Sequence, residues 1–132
     1  MFYCYDGKGK ILLHKRSKYC RDEVGRWDCG GGGLRFGESF EKAVKREIKE
    51  EYCAKPIEVK FVSMENVIRM NGNVKTHWVM ALFSAKLDPK QVRIGVPKKM
   101  EDIGWFRLNK LPAPLHSMFH KHLEVIKKAK AL

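Results

Sequence analysis

The chain has 132 residues, 44% hydrophobic and 32% charged, with 27 Lys+Arg against 15 Asp+Glu and a formal net charge of +12. That balance describes a globular protein, expected to form a single domain over 1–132 and to bury roughly two-thirds of its unfolded surface. No apolar run approaches the ~20 residues that span a bilayer, and the opening MFYCYDGKGK has neither a basic leader nor a long apolar core, so a cytoplasmic location is expected.

In chain order, Met1–Tyr5 and Lys10–Arg16 are apolar stretches around Asp6-Gly7-Lys8-Gly9, a pattern that predicts a hairpin. Residues 17–26 are polar and predict a loop. A helix is predicted from Phe40, with Ser39 as its N-cap and Glu41 in the first turn, where the helix dipole favours negative charge. Glu58–Ile68 and Lys75–Lys86 read as strands flanking Met70-Asn71-Gly72-Asn73, a second hairpin turn. Ile103–Phe106 reads as a further buried strand. A second helix is predicted from Pro112-Ala113-Pro114, because Leu115, Met118, Phe119, His122, Leu123 and Ile126 recur at helical spacing. Helices beside hairpin-connected strands predict a mixed α/β sandwich.

The four cysteines, at 4, 20, 29 and 53, lack paired C-x-x-C spacing and read as reduced thiols. A zinc site would need ligands that only the fold can bring together. The basic residues attract polyanions in general, but they are scattered, with short knots only at Lys98-Lys99 and Lys127-Lys128. A solvated surface accounts for them better than a dedicated nucleic-acid face.

The predicted helix from Phe40 holds a conflict. On a wheel of about 100° per residue, Phe40, Ala43, Val44 and Ile48 form an apolar stripe, and Lys42, Lys45 and Lys49 lie opposite. Glu47, Glu50 and Glu51 continue the apolar stripe. Carboxylates crowded on an inward face repel one another and resist desolvation, so they need protons, basic partners or a metal ion. A hard divalent cation resolves the conflict; a solvent-exposed helix end laced with Glu–Lys pairs is the alternative. The glycines at 30–33 favour the cation, since glycine lets backbone approach a ligand closely.

This stretch resembles the Nudix hydrolases, whose pattern is G-x5-E-x7-R-E-U-x-E-E-x-G-U, with U a bulky aliphatic. Gly32, Glu38, Arg46, Glu47, Ile48, Glu50 and Glu51 all fall in register. Ile11-Leu12-Leu13 with Arg16, Trp27 before the glycines, and Ile103-Gly104-Trp105-Phe106 followed by Leu111-Pro112 extend the likeness over most of the chain. Two positions depart from it: Cys53 stands where glycine is usual and Ala54 replaces the closing aliphatic, so the helix exit is expected to differ. Cys29 also occupies a position that is often proline.

The resemblance implies a Nudix-type α/β/α sandwich with a mixed β-sheet. It further implies that Glu47, Glu50, Glu51 and the carbonyl of Gly31 hold Mg²⁺ or Mn²⁺, with Glu38 and Arg46 bracing the loop against the helix. The expected reaction is water attack on a diphosphate phosphorus of a nucleoside diphosphate derivative, a nucleoside triphosphate or a nucleotide sugar. Glu47 is the first choice for general base and Glu101, on the loop before IGWF, the second. Attack on an RNA 5′ end or a dinucleoside polyphosphate, or a non-catalytic nucleotide-binding regulator, are the rival readings.

Arg16 and Arg35 are candidates for substrate phosphates, or ordinary surface arginines. Trp27 and Trp105 suit base stacking or, more simply, core packing. His116 and His120 have metal-capable helical spacing, though an exposed face is the simpler reading. His77-Trp78, mid-strand, is a candidate pocket lining.

Overall fold

Alternation along the short strands places the two helices on opposite faces of one sheet. The computed structural model describes residues 1–129. They contain strands β1 (Phe2–Tyr5), β2 (Lys10–Arg16), β3 (Trp27–Asp28), β4 (Glu58–Asn71), β5 (Val74–Lys86) and β6 (Met100–Arg107). Helix α1 (Phe40–Tyr52) follows β3, and α2 (Phe119–Ala129) follows β6. Successive strand side chains point to opposite faces. Phe2, Cys4 and Leu12 accordingly pack with Val44, Ile48 and Tyr52 of α1, while Tyr3, Tyr5, Ile11 and Leu13 pack with Phe119 and Ile126 of α2. Strand β1 is buried at every position because it has a helix over each face.

Strand β2 pairs along one edge with β6 and along the other with β1 and then β3. Beyond β1 come β5 and β4; β1 and β5 are parallel, the other pairings antiparallel. The expected α/β/α sandwich with a mixed sheet is therefore the fold.

The β1–β2 turn is built on Asp6, whose Oδ1 accepts the N–H groups of Lys8 at 2.7 Å and Lys10 at 3.0 Å. The β4–β5 hairpin is longer than the sequence predicts. Asn71 pairs with Val74, so only Gly72-Asn73 form the turn and the strand absorbs Arg69, Met70 and Asn71. Since β1 pairs with β5 only from Phe83 to Lys86, the turn-proximal part of this hairpin extends past the sheet.

Helix α1 begins as expected, with Ser39 Oγ accepting the Lys42 N–H at 3.2 Å. Its exit corrects the expectation drawn from Cys53. That residue takes up the left-handed conformation, φ 57° and ψ 24°, and its N–H reaches the Lys49 carbonyl at 3.0 Å. The left-handed terminus is therefore kept without glycine. The segment from Arg93 to Gly95 crosses this helix end: Arg93 N–H bonds the Tyr52 carbonyl at 3.0 Å and Gly95 N–H the Glu51 carbonyl at 2.8 Å. A Cβ at Gly95 would overlap the Glu50 carbonyl oxygen.

The second helix starts later than the sequence predicts. Pro112-Ala113-Pro114 is not its first turn, and Leu115 and Met118 are not helical. The Pro114 carbonyl instead accepts the Trp27 N–H at 2.9 Å, and the His116 N–H donates to the Trp27 carbonyl at 2.8 Å. An extended segment thus lies beside β3, satisfying backbone groups of that two-residue strand that a helix would leave unpaired.

Candidate active site

Helix α1 turns Ala43, Val44, Ile48 and Tyr52 into the core, which carries Glu47 and Glu51 inward on the same side. Glu47 is half-buried, its side chain 16% exposed; Glu50, at 45%, stands at the rim, so the stripe is inward for two of the three carboxylates. Phe40, placed on the same stripe, is exposed. The glycine loop passes directly over this face. A Cβ at Gly32 would overlap the Glu47 carboxylate, so a side chain at this position would push that carboxylate out of its place.

Arg46 is the basic partner next to these acids. Its Nε donates to Glu38 Oε2 at 2.6 Å and its Nη2 to Glu38 Oε1 at 2.9 Å, a two-point grip suited to guanidinium and carboxylate. Nη2 also reaches the Gly33 carbonyl at 3.1 Å, and Nη1 reaches Glu47 Oε1 at 2.7 Å. These bonds tie the glycine loop to α1, and they hold the Glu38 carboxyl down at about 2.

Glu51 has no such partner. Its Oε2 is buried without a hydrogen bond, and burial, followed by the nearby Glu47 charge, pushes its carboxyl up to about 8. A buried acceptor left unsatisfied costs about 1–3 kcal/mol, more when charged. The surroundings offer hard oxygen donors from Glu47, Glu50 and Glu51 beside the glycine backbone. That donor set fits Mg²⁺ or Mn²⁺, which take oxygen ligands and retain some waters.

Two cavities meet at Glu47. One, of about 560 Å³, is polar and is lined by Glu47, Glu50 and Glu51 together with Arg16, Arg21 and Lys99. The other, of about 510 Å³, is largely apolar and is lined by Leu34, Phe40, Val67, Trp78 and Phe83 among others. A phosphorylated ligand with a flat apolar end matches the two in chemistry.

The remaining candidates divide between this site and elsewhere. Arg16 lines the polar cavity, its Nη2 3.0 Å from Asp22 Oδ1. Arg35 is exposed, with Nη2 3.4 Å from Glu50 Oε1. Trp78 of the His77-Trp78 pair lines the apolar cavity, whereas His77 bonds Asn66.

Three expectations are corrected. Trp27, offered for base stacking, is in the core, edge-on to Phe106 at 5.2 Å, and lines neither cavity. Glu101 is within β6, not on a loop; strand alternation points its neighbour Met100 into the polar cavity and Glu101 outward, 3.4 Å from Lys15. His116 precedes α2 and so does not share a helical face with His120.

Arg21 and Lys99 are cavity residues that sequence reasoning missed. Arg21 lines both cavities from the 17–26 loop. Lys99 was legible only as half of a lysine knot. The β2–β6 pairing, with its irregularity between Lys15 and Arg16, brings the end of β2 and the start of β6 together, and nothing local in sequence signals that. His14, buried beneath the polar cavity, bonds the Tyr52 hydroxyl at 2.6 Å and is pushed down to about 4 by burial.

Comparison with known proteins agrees with this fold. The family model for the NUDIX domain matches residues 1–128. A MutT NUDIX hydrolase from Burkholderia pseudomallei is 30% identical, with a TM-score of 0.76 over 95% of this chain and 96% of its own. The NUDIX domain of Shewanella oneidensis NrtR, solved with ADP ribose, is 19% identical, with a TM-score of 0.71 over 96% of this chain and 82% of its own. A MutT protein from Methanosarcina mazei Go1 shares the fold at 20% identity and a TM-score of 0.70, over 98% of this chain and 91% of its own. Nudix hydrolases generally use divalent metals. The chain belongs to the Nudix family and is a Nudix pyrophosphohydrolase.

Proposed function

We propose that this chain is a single-domain, Mg²⁺- or Mn²⁺-dependent hydrolase that cleaves the diphosphate linkage of a small nucleoside diphosphate derivative, a nucleoside triphosphate or nucleotide sugar. The observation that carries the reading is Glu51: an inward carboxylate with an unpartnered, buried oxygen, beside Glu47 and at the floor of a cavity lined with arginine and lysine. Glu47, Glu50, Glu51 and the Gly31 carbonyl are the proposed metal ligands. When bound, the ion supplies charge neutralisation at the phosphate oxygens and lowers the cost of forming hydroxide from water.

The protein residues bind and position. Arg16, Arg21 and Lys99 attract the phosphates into the polar cavity, and Arg35 joins them from the rim. Glu47 Oε accepts the proton of the attacking water as the oxygen bonds to phosphorus and the bridging phosphate bond breaks. Arg46 holds Glu47 in place through its 2.7 Å contact. Glu101 lines neither cavity and is not assigned the base role. The apolar cavity accommodates the nucleoside, with the exposed Trp78 as a stacking surface. The ADP ribose held by the Shewanella domain is a nucleotide sugar of the proposed class.

Among the described residues, no helix is long and apolar enough to cross a membrane. A cytoplasmic setting is part of the same proposal: the cysteines at 4, 20, 29 and 53 are all unbridged.

The test is turnover of a nucleotide panel in Mg²⁺ and Mn²⁺ with product identification, alongside a capped and a 5′-triphosphorylated oligonucleotide across a salt series. A free nucleotide cleaved with mild salt dependence is the expected result. Faster cleavage of the oligonucleotide, with affinity falling steeply in salt, would move the substrate to an RNA end. Nucleotide binding without turnover would make the protein a regulator.

A further inference from the structure

Where the end of β3 meets α2 lies a second group of donors, chemically unlike the glutamates. Asp28, at the end of β3, Cys29 beside it and His122 on α2 are 6%, 3% and 6% exposed, and one donor atom from each lies within 4.8 Å of the others. Their separation in sequence, residues 28–29 against 122, is closed only when α2 docks. Cys29 is unbridged.

The polar atoms of this group are only partly satisfied by one another: the Cys29 thiol bonds the Asp28 carboxylate, and His122 is left out. Asp28 Oδ1 accepts the Cys29 N–H at 2.8 Å, but the buried Nδ1 of His122 has no partner. On the other side of Asp28, His116 Nε2 stands 3.9 Å from Oδ2. The Met118 N–H donates to His116 Nδ1 at 3.1 Å, which leaves the Nε2 of a neutral ring protonated and directed toward the carboxylates. At 3.9 Å this ring is a polar neighbour of Asp28 and not a hydrogen-bond partner.

We propose that Asp28, Cys29 and His122 form a structural Zn²⁺ site that fastens α2 to β3, separate from the Glu47, Glu50 and Glu51 cluster. Thiolate, imidazole and carboxylate together suit borderline-soft Zn²⁺, whereas Mg²⁺ prefers all-oxygen sites. One thiolate and one carboxylate cancel the charge of a divalent ion, so the filled site is neutral, the state a buried centre tolerates best. Tetrahedral zinc, with bonds of about 2.0–2.3 Å, sets its donors roughly 3.3–3.8 Å apart. With its donors within 4.8 Å of one another, the cluster needs a contraction of at most about 1.5 Å, and its three protein ligands leave the fourth position open. Binding displaces the thiol proton of Cys29 to solvent, without a redox change.

The experiment is to produce the full chain with Zn²⁺ or Co²⁺ present, pass it through chelator, and measure retained metal together with the near-ultraviolet thiolate-to-cobalt absorption. One retained equivalent with that absorption is expected in the parent protein and in Glu51→Gln, Cys20→Ser and Cys53→Ser. Cys29→Ser should lose the absorption, and His122→Gln should retain at least about tenfold less metal. The metal-loaded parent should melt about 5 °C or more above protein refolded in chelator. Because the parent protein is itself measured, misfolding of a variant does not blur the outcome. Absence of retained metal or of the thiolate band in the parent, or a band that survives Cys29→Ser, would overturn the site and leave these residues as a polar knot within the core. Loss of metal in Glu51→Gln alone would assign the ion to the glutamate cluster instead.

Discussion

Arg46 grips Glu38 at two points, Nε to Oε2 at 2.6 Å and Nη2 to Oε1 at 2.9 Å, while its Nη1 stands 2.7 Å from Glu47. One planar group therefore fixes the loop and the proposed base together. Lysine keeps the charge but has a single nitrogen and no fork. Arg46→Lys is expected to fold normally and to lower kcat by roughly 10- to 100-fold, as the glycine loop and Glu47 lose their common anchor. Steady-state kinetics beside circular dichroism check this; unchanged kcat would remove Arg46 from the machinery.

Glu51 gives a pH signature that metal should reverse. Its carboxyl, ordinarily near 4.5, is raised to about 8 in the folded chain without metal. Between those values the native state keeps a proton that the unfolded state releases, so stability falls as pH rises through that window. In chelator, thermal melting of the parent should decline from about pH 5 to 8 relative to Glu51→Gln, by about 1–3 kcal/mol, and Mg²⁺ should restore it increasingly toward pH 8. Parallel melting curves for the two proteins would contradict the assignment. Glu51→Gln should also abolish turnover, whereas Lys45→Gln, on the opposite face and paired with Glu41, should leave it intact.

Two tryptophans should separate cleanly. Trp78 is 64% exposed on the apolar cavity, and Trp27 is packed against Phe106. Trp78→Ala is expected to raise KM roughly tenfold with little change in kcat or stability. Trp27→Ala should cost about 3–5 kcal/mol of stability by opening the core. Equal KM for parent and Trp78→Ala would end the stacking role.

Cys53 sits at φ 57°, a conformation that costs a side chain about 1–2 kcal/mol relative to glycine. Cys53→Gly is expected to stabilise the chain by about 1 kcal/mol, raising Tm by about 3–4 °C with activity retained. An equal or lower Tm would mean that this thiol makes a compensating contact.

What the sequence could show was what repeats locally. Helical period placed Glu47 and Glu51 beside Ile48 on an inward face, and the continuous apolar stretch Met1–Tyr5 matched the two-sided burial of β1. Spacing located Glu38 and Arg46, and geometry then showed them joined to each other and to the Gly33 carbonyl. Local pattern failed where distant backbone competed: Leu115 and His116 follow the helical period, yet Trp27 recruits that segment as an extended partner. It failed again at Arg21 and Lys99, whose nearness to the glutamates is a property of sheet pairing. Cys29 and His122 could be listed as metal-capable types but not joined until α2 was seen against β3.

Gly95 makes the end of α1 intolerant of drift. Its N–H holds the Glu51 carbonyl, and a methyl group there would strike the carbonyl of Glu50. The residue lines neither cavity, yet any side chain at 95 would be transmitted through the backbone to two proposed metal ligands. A survey of tolerated substitutions would thus find a position far down the chain that behaves as if it were part of the glutamate helix. Inheritance of this enzyme's activity depends on a missing methyl group as much as on the carboxylates it shelters.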